Sequence, residues 1–436
     1  MAKNTVVKKI DWLSIVFYML LVGIGWLNIY SASVPVEEIG AFNINNLYGK
    51  QLIFIGLSVV LILFILAIEA KFYERFASII YIVAMLSLIG LFIFGKNVNG
   101  ARAWYGIGSF TLQPSEFAKT ATALAFAKYI SDIQTHIKNF QDQLKAILII
   151  AIPSILILLQ PDPGSTLVYS AFLFVLYREG LPGLYIFFLI SLAFVFIATL
   201  KFGIPITLAV IGTGIVIYYL IKRTRNQKKA HKKKIKILPM ILYFVTCIAV
   251  SGATSYIYDN VFKQHHRDRF VLWLRLENDP VKMQELKRDI GYNINQSETA
   301  IGSGGLMGKG FLQGTRTRGN YVPEQHTDYI FTTVGEEWGF AGTLFVVLLF
   351  TALLLRLLFL AERQRSQFSR VYGYSVAGIF FIHFMVNIGM VIGLLPTIGI
   401  PLPFFSYGGS GLWGFTILLF IFLKLDANRG NDWMEA

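Results

Sequence analysis

The residues best suited to chemistry in this chain sit in short polar patches between long apolar runs. One patch, Tyr321-Val322-Pro323-Glu324-Gln325-His326-Thr327-Asp328-Tyr329-Ile330-Phe331, is followed by Gly335-Glu336-Glu337-Trp338. Acids at the edge of an apolar stretch lose hydration, which raises a carboxylate's pKa and makes it a stronger base; a nearby Lys or Arg opposes that shift. His326 and Asp328 lack a third ligand at recognisable spacing, which argues against zinc. His265 and His266, beside Arg267, Asp268 and Arg269, read as solvated surface. A second patch, Pro114-Ser115-Glu116-Phe117-Ala118-Lys119, places Pro at a first helical position and puts Glu116 and Lys119 on one helix face. It is either an ion pair closing a helix start or a functional pair, and Arg102 and Trp104 lie in the loop that leads into it. In Gln160-Pro161-Asp162-Pro163-Gly164-Ser165 the prolines and glycine dictate a turn with Asp162 as its acceptor. The run from Ile301 to Gly310 resembles a phosphate cradle but fails that pattern, because Ser303 replaces the first glycine and Gly310 follows Lys309. Close backbone approach, to a bulky anionic lipid or to a packed surface, explains its glycines better.

These patches are positioned by apolar helices. Of 436 residues, 55% are hydrophobic and 15% charged, where a soluble chain carries about a quarter charged. That excludes a disordered chain, a disulfide scaffold and a large soluble enzyme. With Cys247 as the single cysteine, no intrachain disulfide or CxxC metal site can form. A spanning helix needs about 20 mostly apolar residues, and twelve stretches qualify: 12–30, 52–68, 76–94, 117–130, 146–159, 167–177, 184–200, 204–221, 237–257, 340–360, 371–395 and 412–423. The fourth, fifth, sixth and twelfth are short. The first has no cleavage site behind it and reads as a retained span. No fixed-period repeat is evident.

The net charge of +14 would suggest nucleic acid in a soluble chain. Nine Lys or Arg and no acid fall between Lys222 and Lys236, however, and without that segment the excess is +5. Basic residues mark cytoplasmic loops. With the N-terminus inside, Lys71, Arg75, Lys138, Lys145, Arg178, the 222–236 cluster, Arg363, Arg365 and Arg370 all lie in the cytoplasm, and an even number of spans returns the C-terminus there. The polar patches then gather on the outer face, together with one long loop over residues 258–339. Its aromatic residues and patterned glycines predict partial order. The last outer connection, 393–410, is apolar yet rich in Pro and Gly, so it cannot be regular helix throughout and is expected to be a re-entrant lining buried in protein. His383 and Asn387, one turn apart in the eleventh stretch, are expected only to hydrogen-bond to neighbouring helices.

Taken together, the 393–410 connection, the Gly302 to Gly310 cluster, Glu324 to Phe331 with Gly335-Glu336-Glu337, Pro114 to Lys119 and Gln160-Pro161-Asp162 resemble the SEDS family, whose members include RodA, FtsW and SpoVE. Gly308-Lys309-Gly310 followed by Gly314-Thr315 is more similar to the RodA branch. The resemblance implies an all-α polytopic fold and a peptidoglycan glycosyltransferase of the bacterial cell membrane that polymerises lipid II into β-1,4 glycan strands during elongation, with undecaprenyl pyrophosphate as leaving group. It implies a class B penicillin-binding protein and other elongation-complex proteins as partners, no nucleic acid, and a divalent cation, Mg or Mn, of unknown ligands. Asp328 matches the family's essential aspartate and would deprotonate or orient the acceptor sugar's 4-hydroxyl. Glu116, Lys119, Asp162, His326 and Glu337 fall in matching motifs as substrate-binding candidates, with Arg102 and Lys119 set to meet the leaving group. Glu116 would either hold Lys119 or bind the cation, and losing Lys119 is expected to slow polymerisation without unfolding the protein.

Two departures stand out. Family members usually have ten spans, and the additional pair falls between Leu184 and Ile257, around the basic cluster. Pro163-Gly164-Ser165-Thr166 replaces the usual Leu-Gly-Thr after Pro161-Asp162. The basic cluster could bind anionic lipid or a cytoskeletal partner, but fixing topology is the most economical role. Two other functions compete, a lipid II flippase and a non-catalytic scaffold of the synthesis complex; neither needs an outward carboxylate base.

Overall fold

A computed structural model describes residues 9–34, 43–98, 100–108, 110–227, 237–262, 264–277, 279–289 and 291–430. The chain divides into two compact units, one of residues 1–181 with 292–436 and one of residues 182–291. Among the described residues nine helices are long and apolar enough to cross a membrane, and the fold is an all-α polytopic membrane protein with one small sheet.

The larger unit begins with α1 (Trp12–Ser33), α2 (Leu47–Ala67) and α3 (Ala70–Phe94). Asp11 caps α1 by accepting from Ser14 N at 3.0 Å, and Arg356 pairs with the same carboxylate. The expected loop over 97–113 is instead a three-stranded antiparallel sheet, β1 (Lys96–Val98), β2 (Ala101–Ile107) and β3 (Phe110–Leu112). Tyr105 anchors it by donating to Ser87 O of α3 at 2.7 Å. Pro114 then opens α4 (Pro114–Ser131), followed by α5 (Phe140–Leu159) and two short helices, α6 (Pro163–Val168) and α7 (Ala171–Arg178).

The smaller unit contains α8 (Gly183–Gln227), α9 (Leu238–Asn260), α10 (Gln264–Leu274) and α11 (Pro280–Arg288). Helix α8 leaves helical geometry at Gly203, with φ 78 and ψ 167, so it covers both the seventh and eighth sequence stretches. Thr199 donates to Ser251 across the α8–α9 pair at 3.0 Å. The 228–236 part of the basic cluster and the side chains of His265 and His266 lie outside the described residues.

In the larger unit the chain continues through α12 (Tyr292–Ser303), α13 (Thr315–Arg318), α14 (Ile330–Glu362), α15 (Gln367–Val391) and α16 (Gly409–Asn428). Among the described residues the 258–339 segment carries the end of α9, the short helices α10 to α13 and the start of α14, joined by turns. The apolar window of α16 is 83% buried and that of α15 67%, against 22% for α2 and α3, so α15 and α16 form the core. They pack on α4, whose Ala118, Ala121, Ala123 and Ala127 permit close approach. Its three charged residues, Glu116, Lys119 and Lys128, explain why the 18-residue α4 falls short of a spanning helix by composition. The sixth stretch falls short by length, being split between α6 and α7. The twelve stretches lie largely in helix, but among the described residues nine helices meet the spanning criterion, so twelve spans are not confirmed.

The two ends of the larger unit differ. Where α14 finishes, basic side chains are paired: Arg178 with Glu362 at 3.0 Å, Arg370 with Glu179 at 3.1 Å and Arg363 with Asp426 at 2.5 Å. Where α14 begins lie Asp328 and the 393–408 connection. That connection is irregular, and its second half is buried, with Ile400, Leu402 and Phe405 at most 1% exposed. Residues 393–399 are instead half-buried or exposed, Leu394 at 68%, so the expected burial holds for only part of it. Irregular backbone at such depth survives only when enclosed by protein.

Candidate active site

The turn from Glu324 to Tyr329 holds Asp328 just ahead of α14. Thr327 N and Tyr329 N both donate to Glu324 O at 3.1 Å, closing the turn. Every carbonyl from His326 to Asp328 then meets the re-entrant segment or α15. His326 O accepts from Tyr407 N at 2.8 Å, Thr327 O from Ser406 Oγ at 2.7 Å, and Asp328 O from Asn387 Nδ2 at 2.8 Å. Asn387 Nδ2 also donates to Ile400 O at 2.7 Å, and the Tyr329 and Thr397 hydroxyls pair at 3.0 Å. Glu324 and Phe404 hold left-handed φ of 56° and 64°, one on each of the two segments that meet. Such strain costs about 1–3 kcal/mol per residue and persists only where the surroundings over-determine it.

The carboxylate of Asp328 is directed at the re-entrant backbone, since a Cβ added to Gly399 would lie 3.3 Å from Oδ2. It is partly exposed, and no protein donor among the described residues reaches its oxygens. Burial pushes its pKa up to about 7, with the negative charges of Glu324 and Asp162 adding to the rise. Desolvation keeps His326 below its ordinary value, opposed by Glu324. Asp162 reaches this neighbourhood as the N-cap of α6, accepting from Ser165 N at 2.9 Å and from Gln113 Nε2 at 3.3 Å. Its role is therefore a helix cap as well as a turn. Gly164 seats that helix end on the re-entrant segment, because a Cβ there would stand 3.0 Å from Ile398 O.

The pair on α4 lies inside the protein. Lys119, 0% exposed, donates to both oxygens of Glu116 at 2.8 Å and to His383 Nε2 at 2.9 Å. Three donors are thereby used, which assigns His383 as neutral with Nδ1–H donating to Pro401 O at 3.1 Å. Lys119 also stands 4.7 Å over the Phe415 ring. Since Glu116 is only 2% exposed, removing Lys119 alone strands a buried charge at a cost of about 3–5 kcal/mol. The expectation that its loss would leave folding untouched is corrected accordingly.

His383 and Asn387, given only a generic packing role from sequence, are the connectors. One turn apart on α15, they bond the Lys119 pair, two successive re-entrant carbonyls and the Asp328 backbone. Their signal in the sequence was two polar side chains at i and i+4 in an apolar span, whose partners could not be read from spacing. Arg102 is exposed on β2, and among the described residues no hydrogen bond or ion pair joins it to Asp328 or Lys119.

Glu337 belongs to a different cluster. Its Oε1 accepts from Ser31 Oγ at 2.5 Å, and neighbouring Glu336 accepts from Lys309, Thr315 and Thr317 side chains and from Arg316 N and Thr317 N. Here α14 breaks at Gly339, φ 63 and ψ −158. The glycine-rich run repairs the break: Lys309 N and Gly310 N donate to Glu336 O and Glu337 O, while Phe340 N and Ala341 N donate to Gly305 O and Leu306 O. A Cβ at Gly304 or Gly308 would lie 2.0 or 2.1 Å from a facing carbonyl oxygen. Tight packing, rather than a ligand cradle, accounts for these glycines. Among the described residues no three His, Cys, Asp or Glu side chains converge to hold a metal ion, and both Glu116 oxygens are committed to Lys119. Among the described residues no ligand set is therefore assigned to a cation.

These features define a polytopic helical membrane protein that suspends a desolvated carboxylate over a re-entrant segment. The family model FtsW/RodA/SpoVE, described as a cell cycle protein, matches residues 11–228 and 234–431. The chain belongs to this family. It is 32% identical to the peptidoglycan glycosyltransferase RodA of Treponema pallidum, over 97% of this chain and 99% of that one. It is 31% identical to the peptidoglycan glycosyltransferase MrdB of Escherichia coli K12, over 82% and 80%. Among solved structures, a chain from a peptidoglycan synthase complex that coordinates polymerization and crosslinking superposes with TM-score 0.66 at 23% identity, covering 96% of this chain and 98% of that one. Thermus thermophilus RodA superposes at 0.59, also at 23% identity, covering 96% and 97%. Those two likenesses establish the shared fold.

Proposed function

We propose that the protein is a peptidoglycan glycosyltransferase that polymerises lipid II, with Asp328 as general base. The observation that carries this reading is the environment of Asp328: partly exposed, without a donor among the described residues, and shifted to about 7. A base near the working pH removes a proton most effectively. The acceptor sugar's 4-hydroxyl passes its proton to an Asp328 oxygen while its oxygen bonds to the donor's anomeric carbon. The bond from that carbon to the pyrophosphate oxygen breaks on the opposite face, so configuration inverts and undecaprenyl pyrophosphate leaves. Arg102, exposed on β2, is the candidate to meet this anion. Buried Lys119 acts through His383 and the re-entrant backbone, which makes it a positioning residue. Asp162 and His326 border the acceptor, and Glu337 holds the loop that shapes the site.

The paired basic end of the larger unit, opposite Asp328 along α14, supports a cytoplasmic location for that end and an outward-facing site. The family resemblance implies a role in elongation beside a class B penicillin-binding protein, and a solved chain from a peptidoglycan synthase complex that coordinates polymerization and crosslinking shares this fold. Purified protein with that penicillin-binding protein and labelled lipid II is expected to make long glycan chains, and Asp328→Asn to make them at least about 100-fold more slowly. Wild-type lipid II translocation across vesicles without polymer would favour a flippase, and full polymerisation by Asp328→Asn would remove the proposed base.

A further inference from the structure

Helices α8 and α9 of the smaller unit enclose a groove of ≈ 500 Å³ that the proposed reaction does not use. Gly212, Val216 and Tyr219 form one wall and Met240, Ile241 and Phe244 the other, all apolar or aromatic. Gly212 makes its floor: a Cβ there would meet the Phe244 ring at 3.6 Å. The volume is in the range of small-ligand sites, which run from about 300 to 1,000 Å³. Both helices qualify as membrane spans, so the groove opens where acyl chains are the solvent.

Charge distinguishes this groove from an ordinary seam between helices. Positions 212, 216, 219 and 223 advance by four, three and four, which keeps them on one helix face. Arg223, exposed, therefore continues the groove-lining stripe just beyond its apolar end. Lys222 folds back beside it, 3.4 Å from the Tyr218 hydroxyl and 5.3 Å over that ring. The linker from 228 to 236 offers only Ala230 and Ile235 as apolar side chains, too little to fill the groove, while adding six further basic residues and no acid.

We propose that this groove binds an anionic glycerophospholipid, one acyl chain lying along Gly212 to Tyr219 and the phosphate meeting the Arg223 guanidinium. The planar guanidinium matches phosphate geometry, and Lys222 and Arg225 on the same helix end add positive charge that selects a net-negative headgroup over a zwitterionic one. The additional helix pair thereby has a lipid-reading role separate from the chemistry at Asp328.

The test uses full-length protein in detergent equilibrated with equimolar phosphatidylglycerol and phosphatidylcholine, with retained lipid counted by native mass spectrometry. Phosphatidylglycerol is expected to be retained at least about fivefold over phosphatidylcholine, the factor expected from one basic side chain near a headgroup. Arg223→Gln, at an exposed helix position that keeps the protein folded, is expected to erase that preference. Gly212→Leu is expected to reduce retention of both lipids by filling the floor. Equal retention of the two lipids by the wild type would overturn the proposal, as would a preference that survives Arg223→Gln.

Discussion

Two acids flanking the start of α14 meet opposite fates. Glu336 is fully buried and accepts five hydrogen bonds, from Lys309, Thr315, Arg316 N and twice from Thr317. Asp328 is partly exposed and accepts none from the described residues, although its own backbone is held firmly. A carboxylate saturated with donors is stabilised as an anion and becomes a structural pin, with no lone pair left for a substrate proton. A carboxylate held in place by its main chain, with its oxygens unsatisfied, keeps a raised pKa and remains available. The difference separates scaffold from chemistry more sharply than motif membership, since both acids lie in the same patch.

The largest expected effect follows from removing the free acid. Asp328→Asn should lower polymerisation by about 10²- to 10⁴-fold, the usual worth of a general base, while the protein stays folded by thermal unfolding. A comparable loss on Glu336→Gln, with an unchanged unfolding midpoint, would erase the distinction. Lys119→Ala comes next, at about 3–5 kcal/mol of stability because Glu116 is left unpaired. The double variant Lys119→Met/Glu116→Gln should recover much of that stability in a denaturant titration without recovering activity. Recovery of both would reduce the pair to packing alone.

Glu336→Gln should cost about 1–3 kcal/mol through its weakened charged hydrogen bonds, with residual activity in proportion to folded protein. The pH dependence sharpens the comparison further. Asp328 binds its proton more tightly in the fold than in the unfolded chain, whose value is 3.8. Its contribution to stability is therefore fully present below that value, declines as pH rises toward 7, and stays low above it. Activity runs the other way, rising through about pH 7 as the base form appears. Asp328→Asn should flatten its share of the stability slope, measured as unfolding midpoints at pH 5 and pH 8. The smallest effect is expected from Asn387→Ala, about tenfold in kcat with little change in KM, because misplacing a base costs rate more than binding.

Much of this arrangement was legible in residue order. Apolar runs marked the helices, and the kink at Gly339 falls where the 340–360 stretch begins. The Pro- and Gly-rich 393–410 connection was readable as irregular backbone, because Pro401 and Pro403 forbid a regular helix there. The 97–113 sheet was not legible, since its strands are three to seven residues long and gain their support from α3. Lys119 looked like an outward cation because its motif adjoins the outer loop. Its burial depends on α15 and α16, more than 250 residues away, closing over it through His383 and Phe415.

The sequence by itself determined that this is a membrane protein, where its apolar helices run, and which few acids and bases stand near their ends. Hydrophobicity and backbone propensity act over one or two turns, so they can be read locally. Only the tertiary structure decided which of those charges are spent on one another. Hydrogen bonds between Asn387 and Asp328, or between Glu336 and α13, join segments that share no local pattern. Packing leaves Asp328 without a donor among the described residues, and that makes it the candidate base.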